Sequence, residues 1–173
     1  MTRVYVGIGS NINRKNSILG GINELARKFT DLELSTIYES RAYGFEGDNF
    51  YNLVAGFNTD FTLHKLKIAL KEIESRLGRE NHDKRFLPRT LDIDLLLYGD
   101  LVQHDKEIDV PREDIELYSF VLKPLAEIAG DLKHPESGKT FSEMWAGFDK
   151  EGQELWSADI SIDSNLKKDT SSY

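Results

Sequence analysis

The chain contains no cysteine, which excludes a disulfide framework, a thiolate metal centre and a cysteine nucleophile. It has no apolar run near the roughly 20 residues needed to cross a bilayer, so no membrane partner is expected. Positive charge is in short supply, with 22 Lys and Arg against 30 Asp and Glu and a formal net charge of −8. Such a balance argues against nucleic acid as a partner of the whole surface. Histidine is also sparse. His64, His82, His104 and His134 show no metal-ligand spacing and read as surface residues. Ser10 has no partner pattern for a serine hydrolase. The opening Met1-Thr2-Arg3-Val4-Tyr5 enters strand-like sequence at once, leaving no room for a signal peptide, and a cytoplasmic monomer is expected.

What is present suits one globular domain: 173 residues are enough for a core without staples. Residues 3–9 alternate and end in the turn Gly9-Ser10-Asn11. Ile18, Leu19, Ile22, Leu25, Ala26 and Phe29 recur at helical spacing over Lys15 to Phe29. Leu32 to Tyr38 reads as a second strand, Glu39 to Asn49 as a Gly-rich charged loop and Phe50 to Asn58 as a third strand. Leu63, Leu66, Ile68, Ala69, Leu70, Ile73 and Leu77 mark a second helix, stopped by Gly78. A polar loop over 79–90 leads to a fourth strand over 91–98. The order β-α-β-β-α-β predicts an α+β, ferredoxin-like antiparallel sheet with both helices on one face. Beyond it the pattern predicts a short hairpin (101–103 with 108–110), helices near 119–128 and 142–148, and an edge strand over 155–162. Residues 1–164 read as a single domain, and 165–173 as a frayed polar tail.

The densest chemistry lies in Pro88-Arg89-Thr90-Leu91-Asp92-Ile93-Asp94. Side chains alternate along a strand, so Asp92 and Asp94 project from one face, with Cα atoms roughly 7 Å apart. Two convergent carboxylates suit Mg²⁺ held between protein and phosphate oxygens. An acidic outer face on a half-buried strand is the alternative. Upstream, residues 76–89 carry Arg76, Arg79, Lys84, Arg85 and Arg89 against only Glu80 and Asp83. A basic segment in an acidic chain, beside a carboxylate pair, points to phosphoryl chemistry. A long charged loop of this kind is expected to close over bound substrate.

These pieces resemble the 6-hydroxymethyl-7,8-dihydropterin pyrophosphokinases of folate biosynthesis. The likeness rests on Tyr5-Val6-Gly7-Ile8-Gly9-Ser10-Asn11, Phe50-Tyr51-Asn52, Glu74 with Gly78-Arg79, the block from Arg85 to Tyr98, and Phe120-Val121-Leu122 with Pro124-Leu125. It spans residues 3 to about 145. The resemblance implies transfer of pyrophosphate from ATP to the pterin hydroxymethyl group, releasing AMP. It implies ATP and the pterin as small-molecule partners and two Mg²⁺ ions on Asp92 and Asp94. Arg79, Arg85 and Arg89 would act on the phosphates. Glu74, Leu95, Phe86 and Arg112 would join Arg79 and Arg89 around ATP. Phe50 and Phe120 would sandwich the pterin, Asn52 would bond its edge, and Ser40 and Tyr43 would complete the pocket.

Several residues depart from that family's pattern. Asn81 and Tyr118 stand where arginines are common, Glu107 and Asp109 replace basic or hydroxyl residues, and Arg112-Glu113 replaces a histidine-led pair. These changes cluster on the ATP side. They motivate a second reading, a pterin-binding homologue with lost or altered kinase chemistry. Arg112 is the residue expected to compensate, as a bidentate and permanently charged phosphate donor. A nucleotidyltransferase is suggested superficially by Gly9-Ser10 and Asp92-x-Asp94, but about eighty residues separate them here.

Overall fold

The alternation in the first strand dictates where both layers of the molecule form. In the computed structural model, which describes residues 1–42, 46–78 and 91–162, this strand is β1 (Thr2–Ser10). Val4, Val6 and Ile8 point to one face, while Tyr5, Gly7 and Gly9 point to the other. The next elements are α1 (Arg14–Lys28), β2 (Thr30–Leu34), β3 (Tyr38–Ser40), β4 (Phe50–Thr59), α2 (Leu63–Gly78) and β5 (Asp92–Tyr98). All strand pairs are antiparallel, in the order β5-β1-β4-β3, with β2 also on β4. That is the expected ferredoxin-like arrangement. Ile18, Ile22 and Leu25 of α1 and Leu66, Leu70 and Ile73 of α2 bury against Val4, Val6, Ile8, Leu53 and Phe57. Each such side chain contributes about 1.5–3 kcal/mol on full burial. Ile68, counted with the apolar stripe of α2, instead faces solvent.

The expected second strand is split. Ser35 interrupts it, because its hydroxyl oxygen accepts from the Val54 N–H at 2.9 Å in place of a backbone carbonyl. Thr36 then turns its N–H to the Glu127 carboxylate at 2.7 Å, leaving β2 and β3 as separate short strands.

The second face of the sheet is covered by the rest of the chain. The hairpin β6 (Gln103–His104) and β7 (Asp109–Val110) is followed by α3 (Asp114–Leu117), α4 (Ser119–Ala129) and α5 (Phe141–Ala146). Ile115, Val121, Leu122, Leu125 and Phe141 pack on Tyr5, Val54, Leu96 and Leu97. The one-turn α3 has no counterpart in the sequence pattern. The last strand, β8 (Leu155–Ser157), pairs with β3 but stops well before residue 162. Arg79, Arg85, Phe86, Arg89, Tyr43, Asn81 and His82 lie outside the described residues, as does the expected tail 165–173.

Candidate functional site

The carboxylate pair stands where the sequence placed it, on one face of β5. β5 pairs with β1, so Asp92 lies opposite Gly9 and Asp94 opposite Gly7. One strand further, Gly9 is opposite Asn52 and Gly7 opposite Val54. Asn52 is in turn opposite Tyr38 of β3. Asp92, Gly9, Asn52 and Tyr38 therefore form one row across the sheet. Strand spacing sets about 10 Å between the Asp92 and Asn52 backbones. The row has a gap in its middle, because Gly9 supplies no side chain. A Cβ on Gly9 would fall 2.7 Å from Asn52 Oδ1. The bare backbone there is a steric requirement of the Asn52 position.

A β-bulge explains why alternation fails after Asp94. Val6 pairs with Leu95 but Tyr5 pairs with Leu97, so Leu96 is an extra residue. Ile93 and Leu95 face the α1/α2 core; Leu96 and Leu97 both face the opposite one.

β5 is an edge strand, and its outward backbone groups are taken up by site residues. The Ile93 N–H, between the two aspartates, donates to Glu74 Oε1 at 2.7 Å. Glu74 is thus buried, at 6% exposure, and is no exposed helix-end acid. The Leu96 carbonyl accepts from the Arg112 N–H at 3.0 Å. That bond brings the Arg112 side chain beside the carboxylates: its Nη2 is 3.8 Å from Asp94 Oδ1, and its Nε donates to Asp114 Oδ2 at 2.9 Å. Burial of the guanidinium opposes its charge, yet Asp94, Asp114 and Asp92 outweigh that and hold it above its ordinary range.

Glu74, Leu95, Arg112 and both aspartates line one cleft of about 330 Å³, walled by α2 and by residues 105–109 around the hairpin turn. Lys67 and Lys71 face the same cleft, which the sequence reading missed. Their spacing with Glu74, one helical stripe on α2, was the available signal. Lys67 Nζ donates to the Glu107 carbonyl and ties α2 to the hairpin.

Of the residues expected around a heterocycle, Ser40, Phe50 and Asn52 lie together on the other side of Gly9. Asn52 and Ser40 are buried neighbours, with Asn52 Nδ2 3.4 Å from Ser40 Oγ. Phe50 is opposite Ser40 and shares its face. Phe120, in the first turn of α4, is half-buried and stacks on Tyr118 with centroids 5.0 Å apart. Tyr118, where the resemblance implies an arginine's role on the ATP side, instead backs an aromatic ring.

A cluster on the reverse face went unseen in the sequence. Glu39 Oε1 accepts from Arg14 at 2.7 Å and from Asn49 Nδ2 at 3.4 Å, and Oε2 from Trp156 Nε1 at 3.2 Å. Burial alone would raise the Glu39 pKa, but hydrogen bonds from Arg14, Trp156 and Asn49 hold it below the ordinary value. Arg14 also lies over the Tyr51 ring at 4.0 Å. These contacts pin both ends of segment 41–49, beside Ser40 and Phe50.

The histidine reading needs one correction. His134 is buried, and its Nδ1 accepts from the N–H groups of Glu136 and Ser137 at 3.1 and 3.2 Å. Exposed His104 bridges Asp109 at 2.6 Å and Glu136 at 2.7 Å.

The donor set of Asp92 and Asp94 fits magnesium. Mg²⁺ takes one or two protein carboxylates and completes its shell with water and phosphate. Among the described residues no group of three His, Cys, Asp or Glu could hold a metal. An all-protein metal cage is therefore not part of the described site.

This sheet, with two helices on one face and the C-terminal helices on the other, is a known architecture. The crystal structure of Plasmodium falciparum HPPK-DHPS wild type with SDX-DHP matches it with a TM-score of 0.62 at 14% identity. The match covers 84% of this chain, which spans 43% of that one. In sequence, the chain is 37% identical to the 2-amino-4-hydroxy-6-hydroxymethyldihydropteridine pyrophosphokinase of Aquifex aeolicus, over 83% of this chain and 91% of that protein. It is 35% identical to the like-named protein of Methylorubrum extorquens, over 89% and 98%. The family model for 7,8-dihydro-6-hydroxymethylpterin-pyrophosphokinase (HPPK) matches residues 5–130. The chain belongs to that family.

Proposed function

We propose that this chain transfers the terminal diphosphoryl group of ATP to the hydroxymethyl oxygen of 6-hydroxymethyl-7,8-dihydropterin. One observation carries the reading: a carboxylate pair and a buried Ser40–Asn52 pair share one sheet face, with Gly9 of β1 bare between them. The substrate hydroxyl attacks the β-phosphorus, and the bond from that phosphorus to the α,β-bridging oxygen breaks. AMP leaves with the bridging oxygen, and the hydroxyl proton passes to solvent. Asp92 and Asp94 would hold two Mg²⁺ ions, which when bound would neutralise and align the phosphates.

The chain's own residues do the rest by positioning. Asn52 offers a donor and an acceptor to the heterocycle edge, with Ser40 and Tyr43 beside it. Phe50 and Phe120 take its two faces by offset stacking. Arg112, Glu74, Leu95, Lys67 and Lys71 form the nucleotide cleft. Arg79, Arg85, Arg89 and Phe86, which lie outside the described residues, are assigned to the ATP by the family resemblance alone. Every group comes from one chain, so a monomer suffices, and residues 1–164 act as the working domain. ATP and the pterin are the partners, and the cytoplasm is the compartment that supplies both.

The test is turnover with Mg-ATP and 6-hydroxymethyl-7,8-dihydropterin, separating nucleotide and pterin products. AMP and a diphosphorylated pterin in equal amounts are expected. Tight pterin binding with no AMP would replace this reading with that of a non-catalytic pterin binder.

A further inference from the structure

Arg112 occupies an unusual position for a phosphate ligand, because it already faces a carboxylate of the proposed metal pair. Its Nη2 stands 3.8 Å from Asp94 Oδ1, within ion-pair range but longer than a hydrogen bond. The firmer contact is to Asp114, where Nε donates at 2.9 Å. The main chain of Arg112 is fixed to Leu96 at 3.0 Å. The side chain remains 35% exposed, as does that of Asp94. The guanidinium is therefore held at Nε by Asp114, with Nη2 toward the Asp94 carboxylate.

We propose that Arg112 is an internal counter-cation that competes with free divalent metal for Asp94 and yields it only when nucleotide phosphate arrives. This rests on the reading of Asp92 and Asp94 as the metal pair. Two adjacent carboxylates repel each other unless a cation stands between or beside them. In the free protein Arg112 is one such cation, standing beside Asp94. A metal ion arriving alone must push a second cation away from Asp94, with no new anion to receive it. A metal ion arriving on ATP brings phosphate oxygens that accept the terminal nitrogens bidentately. Asp114 holds Nε through the exchange, so only the outer part of the guanidinium changes partner. The site thereby disfavours bare metal and favours the metal–nucleotide complex. A histidine, titrating near neutrality, would not supply a constant positive charge for this exchange.

The distinguishing signature is a pair of effects of opposite sign. Mn²⁺ serves as the probe, its binding to the full chain followed by electron paramagnetic resonance. It is measured alone and with α,β-methylene-ATP, whose bridge cannot be broken at the scissile oxygen. Arg112→Gln is expected to bind free Mn²⁺ about tenfold more tightly, and the Mn²⁺–nucleotide complex about tenfold more weakly. Arg112→Lys, which keeps charge but loses the hinged fork, is expected to fall between wild type and Arg112→Gln in both. Free-Mn²⁺ affinity unchanged or weakened in Arg112→Gln, with its thermal melt intact, overturns the proposal. If Arg112→Gln does not fold, unchanged free-Mn²⁺ affinity in Arg112→Lys overturns it as well. Asp94→Asn tests the underlying reading separately: wild-type Mn²⁺–nucleotide binding there would show that Asp94 holds no metal, and both ideas would fall.

Discussion

The two halves of the proposed site are built from opposite materials. The heterocycle half uses neutral side chains, Ser40, Asn52, Phe50 and Phe120, anchored on strands and on the first turn of α4. The nucleotide half uses charge: Asp92, Asp94, Glu74, Arg112, Lys67 and Lys71, drawn from an edge strand, a helix and the segment after a two-residue hairpin strand. Neutral recognition of a flat ring depends on shape, and shape comes from packing. Recognition of phosphate depends on summed charge, which several arrangements of side chains can satisfy. Of the residues singled out in the sequence as unusual, Glu107, Asp109 and Arg112 line the charged cleft, whereas Tyr118 stacks on Phe120 of the neutral half.

The sharpest break between the halves should come from the carboxylates. Asp92→Ala or Asp94→Ala should lower turnover by about three or more powers of ten. The melting temperature should hardly move, because neither side chain fills the core; a large loss of stability with normal specific activity would make the pair structural. Next in size is Asn52→Ala, which removes a buried amide. The KM for the pterin should rise roughly 10- to 100-fold while the KM for ATP stays within about twofold. Gly9→Ala should imitate it in weaker form, since its new Cβ would push Asn52 aside. If Gly9→Ala instead raised the ATP KM, the boundary between the halves would be misplaced.

Smaller still is the brace behind the ring pocket. Trp156→Phe removes only the indole donor to Glu39 and should weaken pterin binding several-fold, about 1 kcal/mol, with ATP unaffected. Equal changes in both KM values would mean that β8 supports the whole sheet instead. The least effect belongs to His104, whose hydrogen bonds to Asp109 and Glu136 raise its pKa above the ordinary value. The charged form is the one favoured by folding, so its contribution is complete below the unfolded pKa and disappears as pH rises through the folded one. Melting curves of wild type and His104→Gln should therefore converge as pH rises past that point. A gap that widened with pH would show the neutral imidazole to be the stabilising form.

How much of this was legible in the sequence depended on distance along the chain. Local periodicity located α1 within a residue or so at each end, and it located β4 and the face of Asp92 and Asp94 as well. Each of these is decided by neighbours a few positions away. What periodicity missed was set by partners far off. Ser35 breaks a strand by accepting the Val54 N–H on its hydroxyl, and Thr36 turns its own N–H to Glu127, 91 positions away. The Arg14–Glu39–Trp156 cluster joins residues separated by more than a hundred positions. The Arg112 side chain could be named as a phosphate donor from its chemistry alone. Its place beside Asp94 follows from a backbone bond to the bulged residue of β5, which no local pattern encodes.

The bulge at Leu96 also acts as a lock on alignment. A strand that slips by one residue against its neighbour turns every side chain to the other face. For β5, such a slip would thrust Asp92 and Asp94 into the apolar layer under α1 and α2 and lift Ile93 and Leu95 out of it. Adjacent leucines at positions 96 and 97 remain on one face only while the extra residue stays where it is. Deleting Leu96 would remove the bulge and leave Asp92 to Tyr98 in plain alternation, carboxylates still on their face, but it would take away one of the two leucines that β5 gives to the C-terminal layer and the carbonyl that holds the Arg112 N–H.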